Sequence, residues 1–395
     1  DADNDGDADL LVISGGNEYD DGAPEYADRL YLNDGKGNFS YVDAFKYQQP
    51  SPKLAVAVAD IDGDGDVDVF IGGHAQPGNF PNAGRSYLWR NDSKPGSVAF
   101  TDVTASYNPS LLKPGMVNAA VFTSLSKNEK PSLIMAGDWM PIELYKNKGN
   151  AFEKSTIGSS GLWSALSVQD INNDDLPDLL AGNAGVNLQF KANEQEPISL
   201  FVTDIDGDGL NDPLFCYYIQ GKNYPAASRD ELLDQVVPLR KKFVKYSQYA
   251  GAGLEQMVPA AKLRTATVLS ATELQHLALI QQPGGSFRSQ PLPMETQVSR
   301  IFSFVPLQDT MSHQYYLALG NFYPWRVQWG PSMSSYGTLL QQKDKGYLQA
   351  VPNQQTGVYL EGDIRQALVL KAGAGRQVLV VAPNNAPIQV WQWHK

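Results

Sequence analysis

The chain has 395 residues, a formal net charge of −12 and 42% hydrophobic residues, which is typical of a folded globular protein. An acidic sequence without a sustained basic stripe argues against nucleic acid as a partner, and equally against docking on anionic lipid. The single cysteine, Cys216, permits no internal disulfide, and no apolar stretch is long enough for a membrane-spanning helix. The fold must therefore be stabilised by something other than disulfide bonds.

Four nine-residue acidic loops occur along the chain, and each is followed directly by a short apolar run. In chain order they are loop A (Asp1–Asp9), loop B (Asp60–Asp68), loop C (Asp170–Asp178) and loop D (Asp204–Asp212). Side-chain oxygens at positions 1, 3, 5 and 9 of a tight loop converge on one hard cation, and calcium takes about six to eight oxygen ligands. The predicted metal ligands are Asp1, Asp3, Asp5, Asp9, Asp60, Asp62, Asp64, Asp68, Asp170, Asn172, Asp174, Asp178, Asp204, Asp206, Asp208 and Asp212. The sequence therefore predicts Ca²⁺ as a cofactor, with up to four ions.

The EF-hand calcium loop opens in the same way but ends differently. It requires a glutamate at position 12 and a helix after the loop. Position 12 of loops A to D is Val12, Ile71, Ala181 and Phe215. We therefore expect position 9 to close the site and each loop to join two strands. The remaining alternative is a set of polar Asp/Gly turns without metal, an interpretation that four copies in one register disfavour.

Loop C departs from the common pattern at two positions. Asn172 replaces an aspartate at position 3, and Asp175 replaces the glycine at position 6. We expect this loop to bind calcium most weakly. Three further units lack the acidic pattern altogether but keep the apolar strands, which supports the alignment of the repeat.

Each acidic loop belongs to a repeating unit that has an inner strand, the loop, a second strand and an outer hairpin. The inner strands are predicted at Leu54–Ala59, Val117–Thr123, Trp163–Gln169, Leu200–Thr203, Ile301–Leu307 and Ala367–Lys371. The first unit lacks its inner strand, so we expect the chain to be part of a longer protein. Four short strands per unit, with most units starting about 40 to 60 residues apart, predict an all-β fold, a seven-bladed β-propeller that forms one domain over residues 1–395.

One unit contains a predicted insertion. Residues 222–264 are expected to form a small helical insertion within the fifth blade, because Ser228 and Glu231 match a capping box. Two helices are predicted, over residues 230–237 and 239–250. The hairpin that starts at His276 is assigned to the outer strands of the same blade.

The D-x-D-x-D-G-x-x-D loops resemble those of FG-GAP or VCBS repeat proteins, which integrin α-subunits also carry. Six segments resemble the cartilage-acidic-protein-like surface proteins of Bacteroidota, which often end in an ASPIC/UnbV module. These segments are Phe70–Leu88, Ala136–Pro141, Gly182–Asn187, Tyr218–Gly221, Ser228–Leu233 and Gly320–Tyr323. The resemblance covers almost the whole chain and implies an integrin-like, calcium-binding propeller at the cell surface. The ASPIC/UnbV module itself is not visible, which leaves any role tied to that module without support.

No catalytic set stands out in the sequence. The chain has neither a G-x-S-x-G nor a Walker A pattern, and the calcium loops account for the abundant carboxylates, so we expect no enzyme activity. His276 alternates with apolar residues and is expected to be structural. The loops after the second strands of the blades collect on one face. The candidate ligand-binding residues on that face are His74, Arg85, Trp325 and Trp329. For the two tryptophans, packing between blades is an equal alternative.

These features predict a calcium-stabilised extracellular binding or adhesion module that presents loops to a protein partner at the cell surface. One alternative is a glycan-recognising accessory component of a surface uptake system. The other is a carbohydrate-active, lyase-like enzyme, for which a basic cluster beside a Tyr or His in a groove would be the signal. In a bacterium the protein would be associated with the outer membrane without inserting into it.

Overall fold

The computed structural model describes residues 1–46, 50–309, 311–343, 346–373 and 376–392. These residues form seven antiparallel sheets, which confirms the predicted all-β propeller class. None of the helices in these ranges combines the length and the apolar character needed to cross a membrane.

The first three sheets follow chain order. Their strands are β1 (Leu10–Val12), β2 (Arg29–Asn33) and β3 (Phe39–Val42); β4 (Lys53–Ala59), β5 (Asp68–Gly73), β6 (Tyr87–Asn91) and β7 (Phe100–Asp102); β8 (Met116–Thr123), β9 (Ser132–Met140), β10 (Glu143–Asn147), β11 (Phe152–Thr156) and β12 (Gly161–Leu162). In the third sheet, β9 pairs with β8, β10 and β12. The first sheet has three strands with β1 at its edge, so the inner strand expected to be missing is absent from the described residues.

The fourth and fifth sheets are interleaved in the chain. Their strands are β13 (Ala165–Gln169), β14 (Asp178–Gly182), β15 (Ile198–Thr203), β16 (Asp212–Ile219), β17 (Lys222–Pro225), β18 (Thr267–Ala271), β19 (Leu277–Gln281) and β20 (Phe287–Pro291). The fourth sheet has the order β13-β14-β19-β20, and the fifth has the order β17-β16-β15-β18. In chain order, all strands of the fifth sheet are therefore inserted between the second and third strands of the fourth sheet, β14 and β19.

The last two sheets again follow chain order. Their strands are β21 (Ile301–Gln308), β22 (Gln314–Gly320), β23 (Thr338–Gln342) and β24 (Leu348–Val351); β25 (Ile364–Lys371), β26 (Gln377–Pro383) and β27 (Gln389–Trp391). The α-helices are α1 (Thr104–Tyr107), α2 (Arg229–Gln235), α3 (Tyr246–Ala250), α4 (Leu254–Met257), α5 (Ala260–Thr265) and α6 (Asn353–Thr356). Short 3-10 helices cover Pro24–Tyr26, Pro109–Leu112, Val237–Lys241 and Met294–Thr296.

The inner strands stand side by side around a central channel. β4 packs against β8, β8 against β13, β13 against β21, and β21 against β25. Small residues permit this close approach: Ala55 and Ala57 are the buried side of β4, and a Cβ at Gly72 would lie 2.8 Å from Cγ1 of Val117. A bulkier residue at Gly72 would push the second and third sheets apart.

Apolar cores form between successive sheets, not within one central core. Ile134 of the third sheet packs with Leu179 of the fourth, and Leu180 of the fourth packs with Tyr316 of the sixth. The fifth sheet shares a separate core with helices α2 to α4, which includes the fully buried Cys216, and its residues Ile198 and Ala271 also pack with Leu162 of the third sheet. The hydrophobic contacts thus run from the fourth sheet directly to the sixth.

Two assignments within the insertion are corrected. The hairpin that starts at His276 belongs to the fourth sheet, since β19 pairs with β14. Its apolar pattern is the same as that of any outer strand, so the local sequence does not specify its partner. Of the predicted insertion 222–264, the first residues form β17, and the single helix expected over 239–250 is divided into a 3-10 helix and α3. The capping box of Ser228 and Glu231 is present at the start of α2.

Candidate functional site

The four acidic loops share one backbone conformation. Positions 4 and 6 have positive φ in every loop, which favours glycine or asparagine. The values are 60° and 97° for Asn4 and Gly6, 81° and 99° for Gly63 and Gly65, 60° and 64° for Asn173 and Asp175, and 87° and 91° for Gly207 and Gly209. Asp175 therefore adopts the left-handed turn that its counterparts reach with glycine.

The carboxylates at positions 1 and 5 hold this turn in the same way each time. The position-1 carboxylate accepts a hydrogen bond from the position-6 N–H, at 3.0 Å in all four loops. The position-5 carboxylate accepts one from the N–H of position 7, at 2.8–3.0 Å. Such local side-chain hydrogen bonds fix the backbone of the loop in place of the backbone hydrogen bonds of a helix or a strand pair.

The position-9 carboxylate ties each loop to its sheet. One oxygen accepts the position-2 N–H at 2.6–2.9 Å, and in loops A, B and C the other accepts a backbone N–H from the neighbouring strand's end at 2.7–2.9 Å. Burial raises the pKa of Asp68 to about 6, although these two bonds oppose the shift. A carboxylate this buried is costly as an anion unless a cation or donors compensate its charge.

In loops A and B, one oxygen of the position-3 carboxylate lacks such a donor. Oδ1 of Asp3 and Oδ1 of Asp62 are buried and have no hydrogen-bond partner among the described residues. Burial and then the neighbouring carboxylates raise the pKa of both aspartates. Buried oxygens without a donor, beside other carboxylates, are the environment that a hard cation satisfies.

Carboxylate oxygens come within 4.8 Å of one another in three of the loops, counting the described residues only. The three groups are Asp1, Asp3 and Asp5; Asp60, Asp62 and Asp68; and Asp204, Asp206 and Asp212. Of the predicted ligands in these three loops, Asp9, Asp64 and Asp208 are outside the groups. The donor set fits calcium in loops A, B and D.

Loop C is less suited to a cation. The Asn172 amide Nδ2 donates to Oδ2 of Asp174 at 2.8 Å, so one candidate ligand oxygen is already used by its neighbour. Asn172 also supplies no charge. This geometry agrees with the expectation that loop C binds most weakly.

Two lysines touch the loops from outside. Nζ of Lys130 donates to the Asp62 carbonyl oxygen of loop B. Nζ of Lys262, on α5, donates to the Asp204 carbonyl oxygen of loop D and lies 3.7 Å from the Asp204 carboxylate. The sequence did not single out either contact, because each joins segments far apart in the chain. Both ammonium groups would oppose a cation in the same loop.

The structure does not bring the four predicted ligand-binding residues together in one site. The Arg85 guanidinium binds the Asp102 carboxylate at 2.5 Å and lies over the Tyr87 ring. Trp325 and Trp329 pack with Phe190 in an aromatic cluster, with ring centroids 5.6–6.2 Å apart. These three residues therefore have structural partners, and the packing alternative describes both tryptophans.

His74 lies in a different place, on the wall of the central channel. Nε2 of His74 is 3.8 Å from Oδ2 of Asp138, and Arg300 donates to Oδ1 of Asp138 at 2.9 Å. All three residues line a cavity of about 680 Å³ between the inner strands, together with Arg365. Arg300 and Arg365 carried no sequence signal, since each is a single arginine before or within an apolar strand.

Comparison with known proteins gives a partial match. Residues 1–71 match the FG-GAP-like repeat model. No curated protein matches the sequence. Among solved structures, the chain is similar to BBS1N in complex with ARL6DN at 9% identity and a TM-score of 0.31, covering 92% of this chain and 87% of that one.

A second similar structure is the V. cholerae biofilm matrix protein Bap1, at 9% identity and a TM-score of 0.32, covering 92% of this chain. The chain covers 63% of that protein.

Proposed function

We propose that this protein is a calcium-stabilised, non-catalytic binding module that works outside the cell or on its surface. The observation that carries the calcium part is the buried, unpartnered Oδ1 of Asp3 and of Asp62 within loops of one repeated geometry. The FG-GAP-like match over residues 1–71 includes loops A and B and supports the same assignment.

Calcium would be held by the carboxylates of loops A, B and D, and less tightly by those of loop C. The ion would neutralise carboxylates that otherwise repel one another. Loops B, C and D each join two adjacent strands of one sheet and loop A precedes β1, so bound calcium would fix the start of the strand that follows each loop. An extracellular setting suits this design, because calcium is abundant there and the fold has no disulfide to replace it.

The binding part of the proposal rests on the central channel. A cavity of about 680 Å³ lined by side chains of several sheets is large enough for a small group of a partner. We propose a protein partner at the cell surface, which rigid inner strands would receive without rearrangement.

The calcium proposal is tested by thermal unfolding in calcium and in chelator. We expect saturating calcium to raise Tm by several degrees, since ligands that bind only the native state stabilise it. The double variant Asp62→Asn, Asp206→Asn should reduce this rise, whereas Asp234→Asn, an exposed carboxylate outside the loops, should not. An equal Tm with and without calcium would rule out the metal.

The partner proposal is tested by affinity capture from intact cell surfaces in calcium, repeated with chelator. Capture of a defined protein that is lost in chelator and restored by calcium is the expected result. Capture that is the same in both conditions would separate binding from the metal and contradict the proposal.

A further inference from the structure

One end of the central channel collects charged side chains from four sheets. We call this set the channel mouth and define it as His74, Asp138, Arg300, Asp363 and Arg365. His74 follows β5, Asp138 lies in β9, Arg300 precedes β21, and Arg365 lies in β25. His74, Asp138, Arg300 and Arg365 line the cavity. The calcium loops lie at the opposite ends of the inner strands, so this site is separate from them.

Arg300 is held in place on several sides. Arg300 is 7% exposed, and one terminal nitrogen of its guanidinium donates to Oδ1 of Asp138. Nε of Arg300 is buried and has no hydrogen-bond partner in the described chain. Its guanidinium lies 5.3 Å from the Phe302 ring centroid and 5.2 Å from that of Phe322. A buried guanidinium with unused donors is costly unless something satisfies them.

Arg365 faces the same two rings. Its guanidinium lies 4.2 Å from the Phe302 centroid and 5.1 Å from the Phe322 centroid. It donates to Oδ2 of Asp363 at 2.7 Å, and its side chain remains 31% exposed. Asp363 itself is 1% exposed, so its carboxylate is fixed by the surrounding structure and holds the Arg365 guanidinium in one orientation. The two guanidiniums are thus fixed against one aromatic pair.

The mouth leaves arginine donors unused among the described residues, beside one unpartnered acceptor, Oδ1 of Asp363. A guanidinium carries five N–H donors, and each of these two gives one of its bonds to a protein carboxylate. Nε2 of His74 also lacks a hydrogen-bond partner among the described residues. A planar fork of donors beside a cavity matches the geometry of a carboxylate, which binds arginine through two parallel bonds.

The backbone beside Asp138 is strained in a way that supports a built site. Trp139 has a φ of 61°, in the left-handed region that bulky residues rarely adopt. The register of β9 and β12 also shifts at this point. Strain of this kind persists where the surrounding structure over-determines the position, and it is common at ligand sites. Here it places the Asp138 carboxylate between His74 and Arg300.

We propose that the channel mouth binds the carboxylate of an acidic side chain from the partner protein, with Arg365 and Arg300 as the principal donors. A peptide side chain fits better than an acidic sugar, because the two guanidiniums already cover the Phe302 and Phe322 rings on which a sugar would stack. This inference depends on the proposed binding role but not on the calcium sites.

The test measures binding of two short peptides by calorimetry or NMR in calcium. The probes are acetyl-Gly-Glu-Gly-amide and its isosteric glutamine counterpart, with sodium glucuronate as the sugar acid. We expect the glutamate peptide to bind about tenfold more tightly than the glutamine peptide, since only the former makes charge-assisted bonds. The variant Arg365→Lys keeps the charge opposite Asp363 but loses the fork, and should weaken glutamate binding by about tenfold.

The matched control is Arg376→Lys, an exposed arginine at the far end of the β25–β26 hairpin, which should bind as the parent does. A melting curve with the parent's calcium response shows that Arg365→Lys is folded. Equal binding of the two peptides, or an unchanged affinity in Arg365→Lys, would overturn the inference. Tighter binding of glucuronate than of the glutamate peptide would overturn the peptide assignment. Loss of the calcium response with glutamate binding intact would contradict only the metal proposal.

Discussion

His276 shows how one buried side chain links the fold to pH. Nδ1 of His276 accepts the Asn183 N–H at 2.8 Å, and the ring's Nε2 is 2.9 Å from the Ser299 carbonyl oxygen. The neutral ring with its proton on Nε2 satisfies both contacts. Protonation of Nδ1 would place its N–H against the Asn183 N–H, so that two donors face each other. Burial, and to a smaller extent the nearby charge of Arg300, lower the pKa of His276 to about 4.

This lowered pKa predicts a loss of stability in acid. Between the ordinary pKa of 6.5 and about 4, the unfolded chain takes up a proton at His276 and the folded chain does not. The contribution of His276 to the free energy of unfolding is therefore complete above pH 6.5. It falls by about 3 kcal/mol as the pH falls towards 4. Denaturant unfolding of the parent and of His276→Gln across this range measures it. The same pH dependence in both proteins would show that His276 does not titrate as expected.

Lys130 is expected to weaken calcium binding at loop B. Its ammonium group contacts the Asp62 carbonyl oxygen and would repel an ion held by the Asp62 carboxylate. Replacement by glutamine removes this charge and should raise the calcium affinity by about two- to fivefold, because the contact is exposed and screened. Calcium titration calorimetry measures the change. Lys127→Gln is the control, since Lys127 is exposed in the same segment. An equal gain in the control would indicate a general charge effect.

Loop C is the element in which one substitution should restore a site. Asn172→Asp adds a charge and removes the amide that bonds to Asp174, so Oδ2 of Asp174 becomes free for a cation. We expect calcium affinity at this loop to rise by about tenfold, because ligand charge sets affinity in such loops. Asn173→Asp adds the same charge at position 4 and should give a much smaller rise. Equal effects in calcium titrations would contradict the assignment of position 3 as a ligand.

The acidic loops and inner strands were predictable because their information is local. Residues Asp60–Asp68 contain their own turn and candidate ligands, and the run before them is a strand by pattern alone. The partner of the strand at His276 was not predictable in this way, since strand pairing is decided by contacts between distant residues. Arg300 and Asp138 meet across 162 positions for the same reason. The channel mouth therefore became visible only with the fold.

The fifth sheet with its helices behaves as an attachment to the rest of the molecule. The chain leaves the fourth sheet after β14 and returns before β19, where Gly185 N–H donates to the Leu274 carbonyl oxygen at 2.8 Å. The attached unit, residues 186–273, has its own core around Leu232 and Cys216. Its link to the sixth sheet's long loop includes a salt bridge between Arg326 and Glu231 at 2.5 Å. The unit also packs on the third sheet through Ile198, Ala271 and Leu162, but its own core predicts a second level of stability.

Hydrogen exchange measured by mass spectrometry in saturating calcium tests this expectation. Amides of β15, β16 and α2 should exchange together and at a lower opening free energy than those of β13, β14 and β19, which share the core with the sixth sheet. The variant Leu232→Ala opens a cavity in the attached unit and should speed its exchange strongly, by a loss of about 2–5 kcal/mol. The fourth sheet should be affected little. Equal acceleration of β13 and β14 would mean that the attachment and the ring unfold as one cooperative unit.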